Sequence, residues 1–268
     1  GQGSGYNSFT PMVNGVRADV GCVPVAVGQV IAQYRKNNHR NIEIPAYAYS
    51  VGSSLAFENF STGNWLLITD TINNPNISSL ADDAFLAYLS LDMNLTYGVG
   101  STTGSENDVM TALTNYKLTY NTSNSYNYST VYTNLLNSKP VIVFSKVKNR
   151  ENSHAFIIDG YQRTLTKYYI QYMWDPYYER EDWESYPEPT ETDKDGYAWR
   201  EEIIDESETV SFAMNWGLNN ISYNNIYYLA YNYRYGEYEI YYTPSWTAGG
   251  QTMNNVTKMF YNISEAVD

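Results

Sequence analysis

Residues 21–34 read GCVPVAVGQVIAQY and hold the single cysteine of this 268-residue chain. Val23, Val25, Val27, Val30, Ile31 and Tyr34 set apolar groups at spacings of mostly three and four, the period of a helix packed into a core. Pro24 fits only the first turn of a helix, because proline lacks the N–H that later turns need. That places Cys22 at or just before the helix N-terminus. The unpaired amide groups and the dipole there stabilise an anion, which favours thiolate over thiol. The same placement is also compatible with a small, packed core cysteine.

The two histidines differ in setting. His39 sits in KNNHR, a polar run past the helix, and reads as a solvated surface residue. His154 opens SHAFIIDGY, where Ala155, Phe156, Ile157 and Ile158 predict a buried strand that ends at Asp159-Gly160. A histidine leading into such a strand lies at a rim rather than in the middle of a core. One cysteine and one such histidine, far apart in sequence, fit a nucleophile and its base. Asp159 lies five residues along the same strand, an odd offset that points it to the opposite face. It is read as a turn residue with Gly160 and is left out of the site.

GCVPVAVGQVIAQY, then SHAFIIDGY, then FAMNWG at Phe212–Gly217 resemble, in that order, the three signature blocks of the streptopain family of cysteine peptidases, a bacterial branch of the papain-like fold. GQGSGYNSFTP at Gly1–Pro11, the stretch Ala81–Tyr116 and KMFYNI at Lys258–Ile263 are similar to the family's upstream, middle and closing segments. The resemblance implies an α+β, papain-like fold with a helical half, an antiparallel β-sheet half and an active-site cleft between them. It implies a secreted cysteine endopeptidase that acts on proteins or peptides without a cofactor, exported with an N-terminal pro-segment inhibitor. Cys22 would be the nucleophile and His154 its base and acid, the two forming an ion pair. The oxyanion donors would be the Cys22 backbone N–H and the side-chain amide of Gln2. Asn215 would orient His154, with Trp216 shielding that bond or itself taking much of the orienting role. An apolar side chain is expected at the second residue before the cleaved bond.

Two departures from the family pattern stand out. Leu218-Asn219-Asn220 follow where a second Trp-Gly-Gly is usual, which bears on the cleft wall more than on the dyad. A long acidic segment separates the His154 strand from Asn215-Trp216-Gly217. Trp174, in Tyr172-Met173-Trp174-Asp175, is nearer to His154 in sequence, but only Trp216 has the flanking Asn215 and Gly217.

Composition sets the outer bounds. Hydrophobic residues make up 43% of the chain, enough for a globular core. No run of 18 apolar residues offers a membrane span and no signal peptide is present. The start at Gly1-Gln2 reads as a mature or trimmed form, and the family resemblance implies a place outside the cell or at its surface. One cysteine excludes an internal disulfide, and without a Cys/His cluster no metal site is expected. A formal charge of -13 argues against nucleic acid and anionic membranes as partners. Glu179–Glu208 carries 13 of the 29 acidic residues and reads as a solvated hairpin extension outside the active site; it has no EF-hand spacing. The 29 tyrosines suit strands and surface of a secreted β-rich lobe, not a base-stacking platform, since a positive groove is missing.

A single domain, 1–268, is expected, with a helical and loop-rich half to about residue 120 and a β half beyond it that carries the acidic insertion near 175–209. Helices are predicted at Ser78–Leu91, from Ser105 onward with Val109, Met110 and Leu113 inward, and at Thr130–Leu136. Gly1–Asp19 and Asn41–Leu67 read as loops, and Gly98–Gly104 as a turn over a cleft. Strands are predicted at Pro140–Phe144, His154–Gly160, Lys167–Trp174, Val210–Asn215, Ile226–Tyr233 and Tyr238–Tyr242. Helices first and antiparallel strands later argue for an α+β protein. The competing reading is a catalytically silent peptidase fold used for adhesion or binding. Intact Cys22, His154 and Asn215-Trp216-Gly217 favour the active enzyme. A transglutaminase or amidase with the same dyad is a third reading, because thiol acyl transfer does not fix the acceptor.

Overall fold

The structure is a computed structural model that describes residues 6–7, 10–38, 80–100, 102–149, 151, 153–174, 191–192, 198–217, 226–234, 239–242, 245–248 and 250–266. Gln2, His39, the loop Asn41–Leu67, much of the acidic segment and Leu218-Asn219-Asn220 lie outside them.

Four helices are described: α1 (Cys22–Asn38), α2 (Leu80–Asp92), α3 (Glu106–Asn115) and α4 (Tyr128–Leu136). Cys22 is the first residue of α1 and Pro24 lies in its first turn, where the missing N–H costs nothing. Helix α3 opens with a capping box: the Ser105 hydroxyl accepts from Asp108 N–H while the Asp108 carboxylate accepts from Ser105 N–H. Its buried face is Val109, Ala112 and Leu113; Met110, expected inward, is 37% exposed, and Ala112 fills that row instead.

The strands are β1 (Met12–Val13), β2 (Val16–Arg17), β3 (Leu118–Ser123), β4 (Val141–Val147), β5 (Ser153–Trp174), β6 (Glu191–Thr192), β7 (Ala198–Asn215), β8 (Ile226–Arg234), β9 (Ile240–Tyr241), β10 (Trp246–Ala248) and β11 (Gln251–Glu265). β1 and β2 make a small hairpin inside the segment expected to be loop alone. The others form one sheet in the order β10-β11-β4-β5-β7-β8-β9, with β3 on β11 and β6 on β7. β10, β3 and β4 all run antiparallel to β11, and β5 runs antiparallel to β4. The protein is therefore α+β with an antiparallel sheet.

Asp159-Gly160 is not a turn, and His154–Gly160 and Lys167–Trp174 are parts of one 22-residue strand. Gly160 serves close approach instead: a Cβ there would lie 3.3 Å from the Ala213 Cβ on neighbouring β7. β7 likewise begins at Ala198 rather than Val210.

The described strands and helices fall into two compact units, Gly1–Gln162 with Phe212–Tyr228 and Thr243–Asp268, and Arg163–Ser211 with Leu229–Tyr242. The core of the first unit packs Val23, Val27, Val30 and Ile31 of α1 against Phe85 and Leu89 of α2 and Val109 and Leu113 of α3. The sheet supplies Ile142 and Phe144 of β4, Ala155 and Ile157 of β5 and Phe260 of β11 to the same cluster. By strand alternation Val143, Ser145, His154 and Phe156 belong to the other face, and all four are buried. Helix α1 is tied down at its far end too, where the Tyr34 hydroxyl donates to the Ile263 carbonyl; burial, then Glu265, pushes that phenol up to about 12. The second unit is more open. Tyr168, Tyr169, Ile204 and Tyr241 are exposed, and its ion pairs Arg163–Glu208 and Lys167–Glu206 lie at 2.6 and 3.0 Å.

Candidate active site

The residues preceding α1 fix where its thiol sits. Asn7, buried, donates through Nδ2 to Asp19 Oδ1 at 2.8 Å and accepts through Oδ1 from Val20 N–H at 2.9 Å. Thr102, on the loop before α3, donates its hydroxyl to the Asp19 carbonyl. Gly21 then turns the chain into the helix at φ 92°, in the left-handed region that glycine alone enters freely. A side chain there would also meet Thr102, whose Cβ and carbonyl oxygen lie 3.1 Å from the added carbon.

His154 enters from the sheet. It is the second residue of β5, so its ring lies at the strand's end and within hydrogen-bonding reach of the Cys22 thiol. Its Nε2 is 3.0 Å from the Trp216 carbonyl oxygen, which leaves Nδ1 for the thiol. The Ala155 backbone N–H donates to Cys22 Sγ at 3.5 Å. Burial pushes the Cys22 thiol up, and the His154 hydrogen bond and charge pull it down. They are joined by the Ala155 N–H and the backbone N–H of Cys22 itself, and the thiol ends below the ordinary cysteine value. This is the physical setting of a thiolate: half-buried, at a helix N-terminus, beside an imidazole.

An aromatic wall holds the imidazole. Its ring stacks on Phe156 at 6.1 Å and 17° and on Trp216 at 6.1 Å and 21°. Trp216 is fully buried and packs on Phe156 at 4.2 Å, with Trp246 and Tyr228 edge-on. Burial raises the Tyr228 phenol, with a hydrogen bond to Trp216 acting the other way.

Asn215 is at the site but is not seen to hold the imidazole. Its Oδ1 accepts from Gly217 N–H at 3.1 Å, a side-chain turn that closes over Trp216. Gly217 sits at φ 62°, so the turn needs glycine, and the result aims the Trp216 carbonyl at His154. Four of the five residues singled out from sequence thus come together, namely Cys22, His154, Asn215 and Trp216; the fifth, Gln2, lies outside the described residues. Sequence reasoning missed Phe156 and Tyr228, which read only as strand aromatics, Trp246, which drew no reading, and the main-chain groups of Ala155 and Trp216. Main-chain groups leave no trace in residue identity. Asp159 lies exposed along β5. Among the described residues no cluster of three or more His, Cys, Asp or Glu could hold a metal ion.

A thiol beside an imidazole on an α+β fold is the arrangement of a cysteine-type peptidase, a hydrolase, and comparison with known proteins supports that class. The peptidase C10 family model matches residues 1–179, and the chain belongs to that family. The active wild-type interpain A cysteine protease of Prevotella intermedia has a similar fold, with a TM-score of 0.53 and 18% identity over 98% of this chain and 90% of that one. A mutant fragment of Prevotella intermedia prointerpain A aligns over 59% of this chain and 55% of that one, with 20% identity and a TM-score of 0.42. No curated protein matches the sequence.

Proposed function

We propose that the protein is an endopeptidase that hydrolyses peptide bonds in proteins through a Cys22–His154 thiolate–imidazolium dyad, on a papain-like arrangement of helices and sheet. The observation that carries this reading is the Cys22 thiol at the start of α1, its sulfur taking the Ala155 N–H and within bonding reach of His154. The thiolate attacks the scissile carbonyl carbon, and the oxyanion that forms is met by the Cys22 backbone N–H, with the Gln2 amide as its second donor. The intermediate collapses as the protonated His154 gives its proton to the leaving amine, and the first product departs, leaving a thioester. His154 then takes a proton from water, the resulting hydroxide equivalent attacks the thioester, and the acid product leaves as Cys22 is restored. Trp216 acts through its carbonyl, which holds Nε2 and so keeps Nδ1 on the sulfur. Asn215 acts at one remove, through the turn that presents that carbonyl.

Export, action at or outside the cell surface and inhibition by an N-terminal pro-segment go with this reading, as the streptopain resemblance implies. The test is covalent capture of Cys22 by a peptidyl epoxide near pH 6, read by intact mass, with His154→Ala as control. Rapid single addition that is lost in the variant is the expected result. Labelling only after unfolding would remove the dyad and leave a silent binding protein in its place.

A further inference from the structure

Strand β4 reads VIVFSKV, and every residue in it but Lys146 is buried. Among those buried residues only Ser145 is polar. It is fully buried, and among the described residues its Oγ has no hydrogen-bond partner. An unpaired buried hydroxyl is unfavourable, and an alanine or a valine would suit a core position better. The register places this hydroxyl at one particular point: Ser145 is the direct antiparallel partner of His154. Directly opposed residues share a face, with their Cβ atoms about 4.5–5.5 Å apart. Val256 of β11 flanks Ser145 on the other side and offers no polar atom from its side chain.

We propose that Ser145 is a positioning residue for His154: rotation about its Cα–Cβ bond turns the hydroxyl oxygen towards the imidazole, where it steadies the protonated ring. This rests on the dyad proposed above. The two ring nitrogens are already committed, one to Cys22 and one to the Trp216 carbonyl, and Phe156 and Trp216 line one side of the ring with apolar surface. A positive charge in such a setting has little around it that can reorient. The Ser145 hydroxyl is the one side-chain dipole on β4 that can. It is unpaired among the described residues and free to turn towards the ring while the ring carries its charge. Few other groups compete for this effect. The titratable group facing His154 from α1 is Cys22. From β8, Tyr228 packs edge-on against Trp216; Asn215 ends β7 and Trp216 follows it, β10 contributes Trp246, and none of these three titrates.

The test compares Ser145→Thr with Ser145→Val, which have the same shape and differ by the hydroxyl, with Ser145→Ala as a smaller reference. For each, kcat and KM on a peptide substrate are measured across pH, together with the rate of Cys22 alkylation and the melting temperature. The expected result for the Val and Ala variants is a loss of about three- to tenfold in kcat, the size of one modest polar contact. KM should stay unchanged and the alkaline limb of the pH–rate profile should move to lower pH. The Thr variant should restore the limb. A purely structural serine would change melting temperature alone. Val and Ala variants with the wild-type limb would overturn the proposal, as would a Thr variant that behaves like Val. Wild-type protein and His154→Ala are run in parallel. If alkylation of the wild type does not depend on His154, the dyad itself fails, a result distinct from failure of Ser145 alone.

Discussion

Burial alone would make Cys22 a poor nucleophile, because a desolvated thiol resists ionising. The lowered value arises because His154, the Ala155 N–H and the helix start oppose that cost together. The sign gives a first prediction. Cys22 alkylation in the wild type should rise with pH through a midpoint below the ordinary cysteine value, since a lowered value means thiolate persists to more acid pH. In His154→Ala the burial remains and the largest lowering causes are gone, so the midpoint should move above that value. Identical midpoints in stopped-flow alkylation would disprove the pairing. A second prediction concerns Asn215. If it works only by closing the turn onto Gly217, Asn215→Ala loosens the Trp216 carbonyl and lowers kcat by about 10- to 100-fold, the cost of misplacing a catalytic group by around an ångström. His154→Ala should cost more, because removing a general base costs about 100- to 10,000-fold by itself. Equal losses in the two variants would instead mean a direct hold of Asn215 on the ring. Cys22, His154 and Trp216 were legible because side-chain chemistry is written in residue identity. The part played by Trp216 was less so, since it runs through a carbonyl that every residue has.

At the scale of elements, α1 was legible from its period and from Pro24, whereas β5 was misread at Asp159-Gly160. That dipeptide signals a turn when local preference decides, but here Gly160 lets β7 approach and the strand runs on through it. β3 was missed for a related reason. LTYNTS has little apolar alternation, and it is held as a strand by antiparallel pairing with β11. The element that matters most to the site is the short connection into α1, where Asn7, Asp19 and Thr102 buckle the chain and Gly21 makes the bend. Gly21→Ala combines a left-handed backbone with contacts of 3.1 Å to Thr102, one of them to a backbone oxygen that cannot swing away. Strain of this kind costs about 1–3 kcal/mol. The expected outcome is a clear fall in melting temperature and a larger fractional loss of kcat than of folded protein, because the relief of the clash displaces Cys22. A variant that melts lower but turns over normally per folded molecule would show that α1 holds the thiol without this bend.

For the whole molecule, charge and burial divide the same way. The second compact unit holds sixteen of the 29 acidic residues and only six of the 16 basic ones, and so most of the net charge of -13. The acidic run reads in the sequence as a solvated extension, and much of it lies outside the described residues. That β5, β7 and β8 would each carry residues of both units was not legible, because continuity of a strand depends on its neighbours and not on its own composition. In the first unit β4 is buried on both faces, and its amides lie between β11 and β5. In the second, the side chains at Tyr168, Tyr169, Ile203 and Ile204 stay exposed, and the ion pairs that span it are solvent-accessible and individually weak. Local stability should follow that contrast. Hydrogen exchange is expected to be slowest at Val141–Val147 and at Met259–Ile263, and faster by orders of magnitude at Lys167–Ile170 and Ile203–Glu206. Salt gives the discriminating test. If net repulsion among the acidic residues dominates the unit, raising ionic strength screens it and slows exchange there, with little change in β4. If the Arg163–Glu208 and Lys167–Glu206 pairs dominate, the same salt weakens them and exchange in the second unit speeds up. The imbalance of sixteen acids against six bases favours the first outcome, and an increase in exchange with salt would overturn it.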